Sequence, residues 1–330
     1  MWFEQLTGFK EESPDQVRAN LYVEGEHLIS RVNNAAFSYG RLDQPSLEEL
    51  RRTVLLDPLN GHIKLSEVVA DVQKLHTLPE NNGATFQVAS QFNLLEMASP
   101  DVTPEQGVNG YYFDKTQGPA CAIACGAGTI YRNYFVDLGT QIGQTAHKQI
   151  DCLSDVGAIL NNRERKLWAM TNGYALATSE GLKSISRELS GLTETDYEAL
   201  KGKLRIGVQN NAEVTISADK IKVSQCYCSA LPVGYSNIPA LQWEAFSRFV
   251  LEATYEATFY AALQNFKKTG NKRLFLTLVG GGVFGNKSEW IFDAIGLALS
   301  RFAKAPLDVK IVSYGASNGQ VQDFIAARRD

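Results

Sequence analysis

The chain has 330 residues, of which 44% are hydrophobic and 21% are charged. This composition supplies one large core or two modest ones, and it excludes a disordered or low-complexity protein. The 32 basic and 36 acidic residues give a formal net charge of −4, so there is no excess of positive charge to neutralise a nucleic-acid backbone. We therefore expect no nucleic-acid partner.

The sequence lacks a run of 18 apolar residues, and it opens on MWFEQLTGFKEE without the charged-then-apolar pattern of a leader. We expect a soluble protein with no membrane partner. Five cysteines in a long chain favour free thiols in a reducing compartment, which predicts a cytoplasmic protein. Cys226 and Cys228 would point to one side of a strand, but no further ligands lie near them, so no metal site is predicted.

Residues 1–80 are predicted to form a helical extension that packs on the core. Residues 46–56 begin with a serine cap and show a helical period, and residues 64–75 show another. The apolar and β-branched content of residues 84–90 predicts a buried strand. Residues 91–134 are polar and glycine-rich, and they are predicted as a loop much longer than an ordinary connection.

Residues 81–330 are predicted to form one domain. Residues 203–208 and 213–217 alternate around Asn210-Asn211, and residues 220–227 alternate again, which predicts antiparallel hairpins. This unit, within 200–230, is either an insertion on the sheet edge or a continuation of the central sheet.

The C-terminal part predicts a βαβ unit. A long helix over 241–266, buried on one face, precedes it. A strand over 273–279, a glycine loop, a helix over 288–302 and a strand over 307–314 then follow in order. This order implies a parallel strand pair within an α/β sheet.

The glycine loop at 280–286 lies where backbone N–H groups and a helix dipole converge, which is typical of an anion site. Asn286 is placed to cap the helix, with Glu289 as its reciprocal partner three residues later. A tight strand-to-helix turn without a ligand is the alternative.

Two phosphate-binding motifs fit this loop only in part. Its glycines spell G-x-G-x-x-G, but the following strand ends in Val312, Ser313 and Tyr314, without the acidic residue of a dinucleotide site. A Walker A loop requires Gly-Lys-Ser, whereas Asn286 separates Gly285 from the lysine. The motifs predict neither a dinucleotide enzyme nor an ATPase, and no cofactor is expected.

Polar residues follow the strand predicted over 84–90. Gln91 and Asn93 stand at its carboxyl end, where open α/β sheets bind ligands, although Asn93 could equally cap a turn. Residues 94–114 contain acids but no Lys or Arg. On its own such a stretch is usually a solvated loop.

Small residues continue beyond this acidic stretch. Residues 116–119 and 126–129 are turn-forming, and they predict a second loop that brings backbone close to a ligand. Cys121 and Cys125 lie among alanines, so we expect them to pack a small-residue helix or turn against the sheet rather than to act as nucleophiles.

These segments together resemble macrodomains, which bind ADP-ribose. VGGGVFGN resembles their second phosphate loop, FQVASQFN resembles a strand that ends in a ribose-binding asparagine, and VKIVSY leads to Tyr314, where macrodomains present an aromatic ring to the nucleoside. Residues 114–135 are most similar to the arginine-specific ADP-ribosyl hydrolase macrodomains. The resemblance covers 84–135 and 273–318. The chain lacks the glycine run followed by Val-Asp-Gly of better-known macrodomains, and it lacks the paired glutamates of poly-ADP-ribose glycohydrolases.

The resemblance implies a macrodomain-like three-layer α/β/α fold with a mixed central sheet, to which the helical extension and the hairpin unit are added. It implies ADP-ribose as ligand and an ADP-ribosylated protein as substrate. The residues implied in ligand binding are Asn93, Gln91, Thr116, Gln117, Gly118, Gly126, Gly128, Gly281, Gly282, Val283, Phe284, Gly285, Asn286 and Tyr314.

The implied reaction removes ADP-ribose from arginine side chains. One carboxylate can hold the guanidinium and another can orient or deprotonate water. The candidates are the four acids of 94–114, with Asp114 and Glu105 acting on guanidinium and water and with Glu96 and Asp101 in support. A non-catalytic ADP-ribose reader and an enzyme acting on free ADP-ribose derivatives are the alternatives.

Overall fold

The computed structural model describes residues 1–56 and 59–328, so residues 57 and 58 of the predicted extension and residues 329 and 330 of the predicted domain lie outside it. The helices are α1 Trp2–Thr7, α2 Pro14–Asn20, α3 Leu47–Thr53, α4 Val72–His76, α5 Gln117–Ala124, α6 Gly126–Tyr134, α7 Ser154–Ile159, α8 Ser179–Gly191, α9 Glu194–Lys201, α10 Ala240–Thr269, α11 Ser288–Arg301 and α12 Gly319–Ala326. The strands are β1 Leu21–Glu24, β2 His27–Ser30, β3 Ala36–Ser38, β4 Arg41–Asp43, β5 Lys64–Val69, β6 Thr85–Ala89, β7 Trp168–Thr171, β8 Tyr174–Ala177, β9 Gly207–Glu213, β10 Lys222–Cys228, β11 Arg273–Leu276 and β12 Asp308–Ser313.

A seven-stranded sheet in the order β4-β9-β10-β6-β11-β12-β5 organises the molecule. Strand β9 pairs antiparallel with both of its neighbours, and every other pairing is parallel, so β9 alone runs against the remaining strands. The register places Phe86 of β6 opposite Phe275 of β11, and their rings stack at a centroid distance of 4.5 Å. The central strands are buried, as is usual for parallel strands covered on both faces.

Consecutive residues of β6 show that helices cover both faces of this sheet, because neighbouring side chains of a strand point in opposite directions. Phe86 stacks on His76 of α4 at 3.8 Å, while the amide of Gln87 donates to Thr258 of α10 at 3.0 Å. On the α4 side, Gln225 of β10 also donates to the carbonyl of Cys121 in α5 at 2.8 Å. The predicted three-layer α/β/α class with a mixed sheet is therefore confirmed.

The N-terminal part departs from the predicted helical extension. Strands β4 and β5 form the two edges of the central sheet, and strands β1–β3 form a separate antiparallel sheet. The segment predicted as a helix over 64–75 begins as β5, which pairs with β12 along its whole length and ends before the short helix α4. Pairing with a partner distant in sequence overrides the local helical period.

The predicted turn at Asn210-Asn211 is wrong, because both residues lie inside β9. Asn211 has a positive φ of 57°, and the pairing with β10 shifts register between Val223 and Gln225. The asparagines therefore mark an irregular strand rather than a hairpin turn. Because β9 and β10 are adjacent strands of the central sheet, the unit within 200–230 continues that sheet.

The predicted loop over 91–134 contains helices α5 and α6. Cys121 and Cys125 pack there with no solvent exposure, as predicted. The five cysteines are all buried and free. No helix within residues 1–56 and 59–328 has the length and apolar character needed to cross a bilayer.

Candidate functional site

A cleft with two arms lies at the carboxyl ends of β6, β11 and β12, which is where open α/β sheets bind ligands. The narrow arm has a volume of about 330 Å³, and its lining includes Ser90, Gln91, Glu96, Met97, Asp114, Gly118, Tyr174, Tyr235, Gly280, Gly282, Val283 and Phe284. The wide arm has a volume of about 910 Å³, and its lining includes Met1, Trp2, Asp71, Tyr112, Lys115, Ile216, Val312 and Tyr314. Asp114, Thr116, Gln117 and Thr277 line both arms.

The glycine loop forms one wall of the narrow arm. Gly280 has a φ of +76°, and an added Cβ would lie 2.4 Å from the Cβ of Ala230, so only glycine fits there. Within the described part of the chain, the N–H groups of Gly282, Val283 and Phe284 donate to no protein acceptor. These free donors have the chemistry of the anion site that the sequence predicts.

Asn286 supports the loop in a different way from the predicted helix cap. Lys287 is the residue before α11, and no side chain among the described residues caps this helix. The buried amide of Asn286 donates instead to the carbonyl of Leu231 at 2.8 Å, while Glu289 pairs with Arg248 at 3.0 Å. The predicted capping pair is therefore wrong, because both side chains have partners elsewhere in the chain.

Glu96 is the buried acid of the narrow arm. Only 4% of the residue is exposed, and its Oε1 has no hydrogen-bond partner among the described residues. Burial raises the pKa of its carboxyl well above the usual value, and the charge of Asp114 adds to this effect. The charge of Arg132 and the hydroxyl of Ser90 oppose it.

The first turn of α5 approaches this carboxyl closely. A Cβ added to Gly118 would lie 2.2 Å from Oε2 of Glu96 and 2.0 Å from the carbonyl oxygen of Ala89. The side chain of Gln117 fixes the helix against β6, since it accepts from the N–H of Ala89 at 2.9 Å and donates to the carbonyl of Gln87 at 2.8 Å. The absence of a side chain at Gly118 therefore makes room for Glu96.

Arg132 lies behind the site and is completely buried. Its Nε donates to the carbonyl of Leu94 at 3.0 Å, and its guanidinium stacks 3.6 Å from the ring centre of Tyr227. This cation is thus fixed by neutral partners, and its charge lowers the pKa of Glu96 from a distance.

Three aromatic rings line the narrow arm. Tyr174 lies 5.1 Å from Tyr235 and 5.3 Å from Phe284 between ring centres, and its hydroxyl donates to the carbonyl of Met97 at 2.6 Å. Of these three rings, the sequence predicts only Phe284 as a site residue. The two tyrosines come from β8 and from the 3₁₀ helix Val233–Tyr235, and neither segment carries a local motif.

The structure brings most of the predicted ligand-binding residues together. Those that line an arm are Gln91, Thr116, Gln117, Gly118, Gly282, Val283, Phe284 and Tyr314, while Gly281, Gly285 and Asn286 belong to the same glycine loop without lining an arm. Among the acids, Glu96 and Asp114 line the narrow arm, and Asp114 also accepts from the N–H of Thr116 at 2.8 Å.

The other predicted site residues lie elsewhere. Asn93 is fully buried, with its amide donating to Gln149 at 2.8 Å and its oxygen accepting from the N–H of Leu95 at 3.1 Å, so it faces the interior. Gly126 and Gly128 belong to helix α6, where Gly126 packs against Trp2, and they form no ligand loop.

Two of the predicted catalytic acids also lie outside both arms. The carboxylate of Glu105 accepts from the N–H of Ala146 at 2.8 Å, so it holds a neighbouring loop. Asp101 is exposed. The structure therefore reduces the acidic group to Glu96 and Asp114.

Tyr314 stands at the wide arm, 80% exposed, directly after β12. Glu67 of β5 holds the loop that follows. Its carboxylate accepts from the Ser313 hydroxyl at 2.5 Å, the Ser317 hydroxyl at 2.6 Å and the N–H of Asn318 at 2.7 Å. Burial raises the pKa of Glu67, but these hydrogen bonds outweigh it and lower the pKa to about 2.

Glu67→Gln is expected to lower the Tm at neutral pH, because an amide cannot accept all of these hydrogen bonds. A carboxylate whose folded-state pKa is depressed stabilises the fold above its ordinary pKa of 4.5, and the contribution is lost as the pH falls toward about 2. Melting curves of the variant should therefore depend less on pH across this window. Glu24→Gln, at an exposed position of β1, is the control. An unchanged pH dependence in Glu67→Gln would contradict the assignment.

Within the described ranges, no group of three or more His, Cys, Asp or Glu side chains is arranged to hold a metal ion. The fold and the cleft together define an α/β protein with a two-armed cleft at the carboxyl ends of its sheet, which combines free backbone donors, a buried acid and an aromatic wall.

Comparison with known proteins identifies no family, since no family model and no curated protein matches the chain. Among solved structures, poly(ADP-ribose) glycohydrolase from Thermomonospora curvata bound to the inhibitor ADP-HPD is 13% identical, with 95% of each chain covered and a TM-score of 0.46. Poly(ADP-ribose) glycohydrolase from Deinococcus radiodurans in complex with ADP-ribose is 13% identical, with 87% of this chain and 93% of that chain covered and a TM-score of 0.38. The IBV X-domain is 11% identical, with 81% and 98% covered and a TM-score of 0.31. At these scores the similarities assign neither a family nor an activity to this chain.

Proposed function

We propose that the protein hydrolyses the N-glycosidic bond between ADP-ribose and arginine side chains of modified proteins. The observation that carries the proposal is the buried carboxyl of Glu96, which shares the narrow arm with Asp114 and with the free N–H groups of the glycine loop. Backbone N–H groups suit a diphosphate, and the exposed ring of Tyr314 at the wide arm suits a nucleoside. None of the described residues lining the narrow arm is a lysine or arginine, so its charges favour a cationic leaving group.

In the proposed reaction, the bond between the anomeric carbon of ribose and the guanidino nitrogen breaks, and its electron pair goes to nitrogen. The oxygen of a water molecule bonds to that carbon. The carboxylate of Glu96 accepts a proton from the water and then donates it to the leaving guanidine, so the protons balance. Asp114 holds the guanidinium by charge-assisted hydrogen bonds and stabilises the positive charge that develops on ribose.

The electrostatics of Glu96 support arginine as the modified residue. Burial raises the pKa of this carboxyl, which favours the neutral acid in the empty cleft. A guanidinium in the narrow arm lowers that pKa again, because a nearby opposite charge favours the ionised form. An ester- or serine-linked ADP-ribose brings no such charge, so burial continues to disfavour the ionised form of Glu96 that the base requires.

The direct test is incubation with proteins ADP-ribosylated on arginine, serine or glutamate, followed by measurement of released ADP-ribose. We expect release from arginine alone. Release from the other linkages at the same rate would contradict the specificity. Tight ADP-ribose binding without release from any linkage would identify a reader instead, and turnover of free ADP-ribose derivatives alone would identify a small-molecule enzyme. Absence of binding would overturn the proposal.

Asp114→Asn is expected to lower release from arginine by about 100-fold, because it removes the charge that holds the guanidinium. Its affinity for free ADP-ribose, measured by calorimetry, should change by less than about threefold, since that ligand carries no guanidinium. Asp101→Asn changes an acid of the same sequence stretch that lies outside both arms, and it should leave turnover unchanged. Equal activity of the two variants would remove Asp114 from the mechanism.

A further inference from the structure

Glu11 lies between α1 and α2, outside both arms of the cleft, and its carboxylate contacts the acidic stretch 94–114 and helix α6. Its Oε2 accepts from the backbone N–H groups of Val108 at 3.0 Å and Asn109 at 2.6 Å. Its Oε1 accepts from the hydroxyl of Tyr134 at 2.7 Å. Gly107 permits this approach, because a Cβ there would lie 2.5 Å from Oε2.

The contacts of Glu11 fix the start of the turn that carries the site. The 3₁₀ helix Asn109–Phe113 begins at this point and is followed directly by Asp114, whose N–H donates to the carbonyl of Tyr111 at 3.2 Å. The hydroxyl of Tyr111, a buried residue, accepts from the backbone N–H of Glu96 at 3.0 Å. One short turn thus joins Glu11 to both acids of the narrow arm.

We propose that Glu11 is a positioning residue that holds Glu96 and Asp114 in register for the reaction. This inference rests on the proposed function. Without the carboxylate, the backbone N–H groups of buried Val108 and half-buried Asn109 lose their acceptor, and the turn loses its fixed starting point. Since a displacement of about 1 Å at a reacting centre costs on the order of 100-fold in rate, loosening this turn acts on catalysis without touching the glycine loop.

Glu11 holds the turn through the geometry of its hydrogen bonds rather than through its charge, and two substitutions of Glu11 separate these effects. In Glu11→Gln the amide oxygen can replace Oε2 as acceptor for Val108 and Asn109, and the amide nitrogen can donate to the hydroxyl of Tyr134, which then accepts. Glu11→Gln is therefore expected to keep the turn, and Glu11→Ala to lose it. If Glu11 acted through its negative charge, both variants would lose activity, because both remove that charge.

We expect Glu11→Ala to lower kcat on arginine-linked substrate by about 10- to 100-fold while the affinity for ADP-ribose stays unchanged, and Glu11→Gln to restore most of kcat. Glu12→Ala removes the adjacent exposed carboxylate and is the matched control. An unchanged kcat in Glu11→Ala, or an equal loss in Glu11→Gln, would overturn the inference.

Hydrogen exchange supplies a readout that does not depend on activity. The amides of Val108 and Asn109 should exchange faster in Glu11→Ala and at the wild-type rate in Glu11→Gln.

Tyr111→Phe keeps the Glu11 contacts but removes the hydroxyl next to Glu96, so it should lower kcat with unchanged exchange at Val108. Full activity of Tyr111→Phe would contradict the proposal that Glu11 positions Glu96 through the hydroxyl of Tyr111. A wild-type protein that hydrolyses no substrate refutes the proposed function, whereas unaltered exchange in Glu11→Ala refutes the contact itself.

Discussion

Glu96→Gln is expected to lower kcat on arginine-linked ADP-ribose by about 10²- to 10⁴-fold, the range associated with loss of general acid–base catalysis. Glutamine fills nearly the same volume beside Gly118, but it cannot accept a proton from water. The affinity for free ADP-ribose, measured by calorimetry, should stay close to that of the wild type. If this variant turned over at the wild-type rate, Glu96 would be excluded as the base, and Asp114 would be the remaining candidate among the acids that line the narrow arm.

The raised pKa of Glu96 fixes the sign of two pH dependences. Since the base is the ionised form, kcat/KM on the arginine substrate should fall as the pH drops through the raised pKa, and Glu96→Gln should lack this limb. Stability moves in the opposite direction. A carboxyl whose pKa is raised by folding stabilises the fold below its unfolded value, and this contribution is lost as the pH rises through the folded pKa.

Glu96→Gln is consequently expected to melt at a higher temperature than the wild type at neutral pH, with the difference vanishing as the pH falls below about 4, where the acid becomes protonated in both states. Thermal melts of the two proteins across this range measure the effect. The gain in stability together with the loss of turnover is characteristic of a buried group retained for function. Equal melting temperatures of Glu96→Gln and the wild type at neutral pH would contradict the raised pKa of Glu96.

Local signals in the sequence predicted the glycine loop and its two flanking elements. The strand before it is β11, the helix after it is α11, and the free N–H groups lie between them, because glycines and a following amphipathic helix define this geometry over a few residues. The role of Asn286 could not be predicted. Its partner Leu231 lies far away in sequence, and the cap pattern with Glu289 looks the same whether or not the amide is engaged elsewhere.

The four acids illustrate what a sequence leaves open. Residues 94–114 show that carboxylates are present without cations, but burial alone separates Glu96 from exposed Asp101, and burial depends on where α5 packs. That helix falls within residues 91–134, for which the polar and glycine-rich sequence predicts a loop. In the structure those glycines allow close packing, and Gly126 admits the ring of Trp2. Composition alone cannot distinguish a glycine that bends a chain from one that admits a neighbour.

Gly118→Ala is expected to lower kcat on arginine-linked ADP-ribose by about 100-fold and to destabilise the fold by about 1–3 kcal/mol. The new methyl group would meet both Oε2 of Glu96 and the carbonyl of Ala89, and the bonds of Gln117 to β6 prevent α5 from moving away. Glu96 must then leave its position. Kinetics on the arginine substrate and urea denaturation measure the two effects.

Gly110→Ala supplies the matched control, because a Cβ at Gly110 would meet no atom of residues 1–56 and 59–328 within 4 Å. It should retain both stability and turnover. If Gly118→Ala proved as active as Gly110→Ala, Glu96 could not be acting from its observed position. If Gly118→Ala lost stability but kept kcat, the contact between α5 and the buried acid would serve folding alone. If Glu96 acts as the base from its position against the first turn of α5, Gly118→Ala should lose both stability and kcat while it still binds ADP-ribose.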